Sequence, residues 1–149
     1  MLSNFFNKSV GNWISHRSYY YVKKDELINS TTEFKWSNIT NIKNDFLSFE
    51  VSWNNEKQKS VGKILCHFKE NDVVIYRDSG YFTANATESK VIICSDSILK
   101  TITEYNNMRF VETIEFLTDV LRVRRTVAYS LKDESIFLIG NYVEHKKED

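Results

Sequence analysis

Phe110-Val-Glu-Thr-Ile-Glu-Phe-Leu-Thr-Asp-Val-Leu-Arg-Val-Arg-Arg-Thr-Val-Ala-Tyr129 decides how this chain is read. It predicts two strands near 108–117 and 120–130, rich in β-branched and aromatic residues and joined by a polar turn. Strand side chains alternate between faces, so Arg122, Arg124 and Thr126 stand in one row. Two guanidiniums in a row repel each other and are costly to bury unless something anionic meets them. If that row faces inward it is a receptor for an acidic ligand; if outward, it is a wet sheet surface. The preceding strand places Phe110, Glu112, Ile114 and Phe116 together, with a carboxylate in the middle of an apolar row. An acid so placed is paired, protonated or waiting for a ligand.

Working outward, strand patterns recur near 12–22, 26–36, 46–54, 60–69, 72–78, 90–95, 98–105 and 135–145, with no helix-length segment between them. Leu47, Phe49, Val51 and Trp53 share one side of theirs. Leu2 to Val10 predicts a short helix with Leu2, Phe5 and Phe6 on one stripe. About ten strands joined by short polar turns predict an all-β fold: an antiparallel barrel or sandwich. Closure into a barrel would remove exposed edges and leave room for one small ligand. With no proline and only 4 glycines, the turns fall to Asn, Asp and Ser, as at Asn106-Asn107 and Asp133-Glu134-Ser135.

A chain of 149 residues is expected to form one domain over 1–149. Lys plus Arg and Asp plus Glu are both 20, so no global charge draws it to nucleic acid or to an anionic membrane. Cys66 and Cys94 do not suggest a disulfide framework, and neither a secretory signal nor a membrane-length run is visible. Cys66-His67 points to opposite faces and lacks a second cluster, so no metal site is expected. Phosphate loops and nucleophile elbows are absent from the sequence. Arg125 has the opposite parity to Arg122 and Arg124, which argues against a basic nucleic-acid patch. Arg17 shares Trp13's side and would either support the barrel's mouth or, as the preferred reading, be a surface charge, and the tail from His145 is expected to be a solvated terminus.

Three pieces of sequence then resemble the S-type (CpcS/CpeS) phycobiliprotein lyases. They are Phe5-Phe6 followed by Ser9-Val-Gly-Asn-Trp13 and Ser15-His-Arg-Ser18, the Val51-Ser-Trp53 step, and Glu112 followed by Leu-Arg122-Val-Arg124-Arg-Thr126. The likeness runs in order along nearly the whole chain. It implies a lipocalin-like (fatty-acid-binding-protein-like) barrel that binds a phycobilin, phycocyanobilin or phycoerythrobilin. The implied enzyme is a chromophore lyase that assists thioether attachment of that bilin to a cysteine of a phycobiliprotein α or β subunit. Glu112, Arg122 and Arg124 would be catalytic. Trp13, Tyr20, Val51, Trp53, Arg122, Arg124 and Thr126 would contact the bilin. No permanent cofactor and no metal are implied. The partners would be the bilin, the acceptor subunit and a second lyase copy or homologue, in a plastid stroma or a cyanobacterial cytoplasm.

The family's His-His pair is replaced by Tyr20-Tyr21, and His16 stands where Gln is usual. Tyrosine does not titrate near neutrality. That favours an alternative: a non-catalytic bilin carrier, or the partner subunit of a heteromeric lyase. A more distant rival is a fatty-acid-type carrier using the same arginines on one carboxylate.

Overall fold

Alternation of inward and outward side chains, strand after strand, produces the architecture seen in a computed structural model. The structure describes residues 2–38, 46–55, 58–69, 72–77 and 87–148, with side chains described for 4–37, 50–52, 73–76 and 87–148. Helix α1 (Leu2–Ser9) precedes ten described strands: β1 (Gly11–Tyr21), β2 (Glu26–Asn38), β3 (Phe46–Asn55), β4 (Gln58–Lys69), β5 (Asp72–Arg77), β6 (Thr87–Ile93), β7 (Ile98–Tyr105), β8 (Met108–Thr118), β9 (Leu121–Ser130) and β10 (Ile136–Lys146). Every sequential pair is antiparallel, and β1 also pairs with β10, closing a barrel. The last hairpins show the expected turn chemistry. Asn106 and Asn107 both take positive φ (52° and 59°), which lets Tyr105 pair directly with Met108.

Among the described residues the ladder is incomplete beside two strands: β4 pairs with β5 only over Ile64–Lys69, and β2 is unpaired on one side over its first half. Among the described residues, β2 pairs with β3 only over Glu33–Asn38. The preceding half of β2 is exposed, including Ile28 and Ser30, which share parity with the buried Thr32 and Phe34. Among the described residues this leaves a gap in the wall next to Tyr19 and Arg17, the register partners of Ile28 and Ser30.

Along the barrel axis the inward side chains fall into three layers. At one end, Phe5 and Phe6 of α1 plug the barrel against Trp13, Phe34, Val51, Leu99, Ile114 and Phe116. Burying a side chain of this size contributes about 1.5–3 kcal/mol, so the plug is a large part of the stability. At the other end, Phe110, Ala128 and Leu138 pack with Tyr19, Tyr21, Tyr105 and Met108. Between them lies a polar belt containing Ser15, Thr101, Thr103, Glu112, Thr126 and Glu144, all buried.

Strand β6 begins three residues earlier than its sequence pattern predicts, at Thr87, and ends at Ile93. Its inward residues Thr87 and Ser89 belong to the polar belt, so the apolar alternation that marks other strands is absent there. The tail differs too. His145 stacks on His16, Lys146 donates to the Lys8 carbonyl at 2.9 Å, and the Lys147 amide bonds the Asn12 carbonyl at 2.8 Å. The chain up to Lys147 is thus tied to β1 and α1 rather than solvated.

Candidate functional site

Strand parity sends Arg122, Arg124, Thr126 and Ala128 of β9 into the barrel and Arg125 out to solvent. The inward row meets Glu112 of β8 and Glu144 of β10 on its two flanks, since Thr126 pairs with Glu112 and Arg122 with Glu144. Two arginines and two carboxylates thus meet inside a closed sheet.

They are not equivalent. Arg122 is 1% exposed. Its Nε donates to Glu144 Oε1 at 2.9 Å and its Nη1 to the Ser9 hydroxyl at 3.1 Å. The guanidinium lies 4.5 Å from the Trp13 ring and is walled by Phe34 and Phe116. Trp13 is itself fully buried, donating from Nε1 to the Ser9 carbonyl at 2.8 Å. Arg122 therefore bolts α1 to the barrel and is sealed by it. Arg124 lies closer to solvent, with 15% of its side chain exposed. Its Nη2 donates to Glu112 Oε2 at 3.3 Å, and its Nη1 stands 3.8 Å from Glu144 Oε1. Thr126 donates to the same Glu112 oxygen at 2.9 Å.

Burial alone would push the Glu144 carboxyl up, but Arg124, Arg122, the Ser15 hydroxyl and Arg17 outweigh it and hold it below the usual carboxylate range. Burial also weakens the hold of Arg122 on its proton. Arginine starts so far above neutrality that the pair stays ionised. A buried ionised pair contributes little net stability, yet removing one partner strands the other, which costs much more.

Three residues join this site that sequence reading had not placed in it. Glu144 and Tyr142 lie on the inward row of β10, Leu138-x-Gly140-x-Tyr142-x-Glu144, whose period-two alternation was the available signal. Arg17, expected at the surface, is instead half-buried; its Nε donates to the Ser15 hydroxyl at 3.0 Å and its guanidinium lies 5.4 Å from the Tyr142 ring. Its parity with Trp13 is visible in the sequence, but only the closed barrel shows that this side faces in.

Tyr20 corrects the expectation for the ligand site. The register of β1 is unbroken on both sides, so no bulge reconciles its parity with Trp13. It lies on the outer face and donates to Asp25 at 2.6 Å, a bond that raises its pKa. Tyr19 and Tyr21 pack against the interior cluster instead. Val51 is buried against the plug. The backbone of Trp53 pairs with Phe34, while its side chain lies outside the described residues, as do those of Leu47, Phe49, Cys66 and His67.

A hollow of about 1180 Å³ lies on the outer wall of β8, β9, β10, β1 and β2. One cross-strand row of its lining is Thr113, Arg125, Asn141, Ser18 and Asn29, with parity opposite to the inward Glu112, Arg124 and Tyr142. Its lining also includes Arg17, Arg124 and Tyr142 of the inward rows.

Comparison with known proteins identifies the lineage. A profile of the CpeS-like protein family matches residues 46–147. The chain belongs to the CpeS-like family. The family is one of phycobiliprotein bilin lyases. A Nostoc sp. protein named "Putative phycocyanobilin lyase CpcS 2" is 25% identical over 163 residues, covering 95% of this chain and 88% of that one. The S-type phycobiliprotein lyase CPES from Guillardia theta superposes with a TM-score of 0.76 at 17% identity, covering 99% of this chain and 93% of its own. A Nostoc punctiforme protein of unknown function, from the DUF3598 family, shares the fold at a TM-score of 0.64 and 14% identity; this chain spans 49% of its length. The lipocalin-like barrel expected from the CpeS-like resemblance is therefore the fold observed.

Proposed function

We propose that this protein is a phycobiliprotein chromophore lyase that takes a phycobilin into the polar belt and presents it to a cysteine of an acceptor subunit. The observation that carries this reading is the belt's charge. Among the described residues, Arg17, Arg122 and Arg124 face only two carboxylates, Glu112 and Glu144. An excess positive charge in a partly desolvated chamber favours an anionic ligand. A bilin brings two propionates, and a proton on its pyrrole system would balance the set. Glu112 is the interior acid placed to exchange that proton, held by Thr126 and Arg124. Arg124 supplies a charge-assisted contact worth about 1.5–3 kcal/mol to a propionate. The nucleophile is the acceptor's thiol, so none is needed from this chain.

Mixing the purified protein with phycocyanobilin and with phycoerythrobilin tests the reading. Binding should red-shift and sharpen the bilin absorbance, and an apo-subunit added afterwards should acquire a covalent chromophore. An unchanged spectrum with both pigments would refute it. The setting that fits is a cyanobacterial cytoplasm or a plastid stroma, with an acceptor subunit and a second lyase copy or homologue as partners.

One observation favours a second reading, the partner subunit of a heteromeric lyase. Tyr20 occupies the position of a family histidine, lies outside the barrel and is bonded to Asp25. If proton transfer needs a group at that position, this chain would bind pigment yet attach it only beside an active homologue. Attachment assays with and without a second S-type protein separate the two.

A further inference from the structure

The interior tyrosine is the belt residue left without a role above. We propose that Tyr142 is a positioning residue whose ring, met by the guanidiniums of both Arg17 and Arg124, sets these two cations as the paired anchors for the ligand's two carboxylates. This deepens the bilin reading and rests on it.

The expected pair, Arg122 with Arg124, does not suit two acidic arms. Arg122 is sealed beneath Trp13 and Ser9 and is engaged by Glu144. Arg17, by contrast, lies beside the gap in the wall, opposite the exposed Ser30. Its guanidinium is 5.4 Å from the Tyr142 ring, and that of Arg124 is 4.9 Å from the same ring. Two like charges this near a common point repel, and an aromatic ring with its negative faces is the group that lets them share the space. Each guanidinium is also held from elsewhere: Arg17 by the Ser15 hydroxyl, Arg124 by Glu112 and Glu144. The ring they share therefore fixes where each of them stands.

The backbone is shaped for this ring. Tyr142, 4% exposed, leans back along its own strand over Gly140. A Cβ at Gly140 would stand 2.8 Å from the Tyr142 hydroxyl oxygen and 3.2 Å from the ring carbon that bears it. Any larger residue would push the ring out of its seat. Gly140 is also the register partner of Thr126, the donor to Glu112, so the seat adjoins the interior acid.

The consequence is selectivity for a dicarboxylate. Wild-type protein should bind phycocyanobilin more tightly than its dimethyl ester by at least about tenfold, since esterification removes both charge-assisted contacts. Tyr142→Leu should reduce that ratio to within about threefold of unity while ester affinity changes little, because the ester never used the anchors. Gly140→Ala should reduce the ratio in the same way. Adding Tyr142→Phe to Gly140→Ala removes the atom at 2.8 Å and should restore much of it. A general loss of structure would weaken both ligands together and show no such rescue. An undiminished ratio in folded Tyr142→Leu, or in Gly140→Ala if the leucine variant fails to fold, would overturn the proposal. So would equal wild-type affinity for acid and ester, which leaves the bilin reading standing. Wild-type binding of neither pigment form would refute the bilin reading itself.

Discussion

The plugged end of the barrel and the belt beside the gap in its wall use the same residue types to opposite ends. At the plugged end, Arg122 is wrapped by Trp13, Phe34 and Phe116, paired with Glu144 and pinned to Ser9. Two residues along the same strand, Arg124 touches Glu112, Glu144 and Tyr142 and keeps some contact with solvent. Identical chemistry at one-strand-repeat spacing thus yields a structural bolt in one place and an available cation in the other. What differs is desolvation. A fully sealed ion is committed to its partner, because any exchange would strand a charge, whereas a partly solvated one can trade partners with an incoming carboxylate.

The strongest way to break this contrast is to remove the bolt. Glu144→Ala should destabilise the fold by about 3–5 kcal/mol, read as a lower denaturant midpoint, because Arg122 is left charged and unpaired. Replacing both Arg122 and Glu144 by apolar residues of similar volume should cost clearly less than Glu144→Ala alone. The pair also sets an acid limit. Glu144 is held below the usual carboxylate range, so its contribution is complete above about pH 4.5 and disappears as pH falls through its folded value. The difference between wild type and Glu144→Ala should accordingly shrink on acidification. A pH-independent difference would mean that Glu144 is not ionised in the fold.

A second test sharpens the other half. Arg124→Ala should weaken bilin binding by roughly 10- to 100-fold with a smaller loss of stability than at the bolt, because Glu112 keeps the Thr126 hydroxyl. If both arginine-to-alanine variants, at 122 and at 124, lost stability and binding in equal proportion, the distinction between the two ends would fail. The smallest effect belongs to the outer face. Tyr20→Phe removes only a surface hydrogen bond to Asp25, so the denaturant midpoint and bilin affinity should both stay close to wild type. A large loss of binding there would return Tyr20 to the ligand site.

The strands were legible because their outward and inward residues differ in polarity. Where the interior is itself polar, that contrast vanishes: Thr87 and Ser89 concealed the start of β6. Tyr20 failed for the opposite reason, since a motif position was carried over against its own parity. Glu144 went unread because it stood beside a basic, tail-like segment, although it continued the alternation of Tyr142.

By itself the amino-acid order determined the antiparallel strands, the shared face of Arg122, Arg124 and Thr126, and the acid at Glu112 within its apolar row, because period-two alternation is a local property of an extended chain. Only the closed barrel decided that this row faces inward, which arginine is sealed and which is open, that Glu144 lies across from both, and that Arg17 and Arg124 meet the same Tyr142 ring. Those are contacts between strands far apart in sequence, and their energies depend on how much water each closure leaves behind.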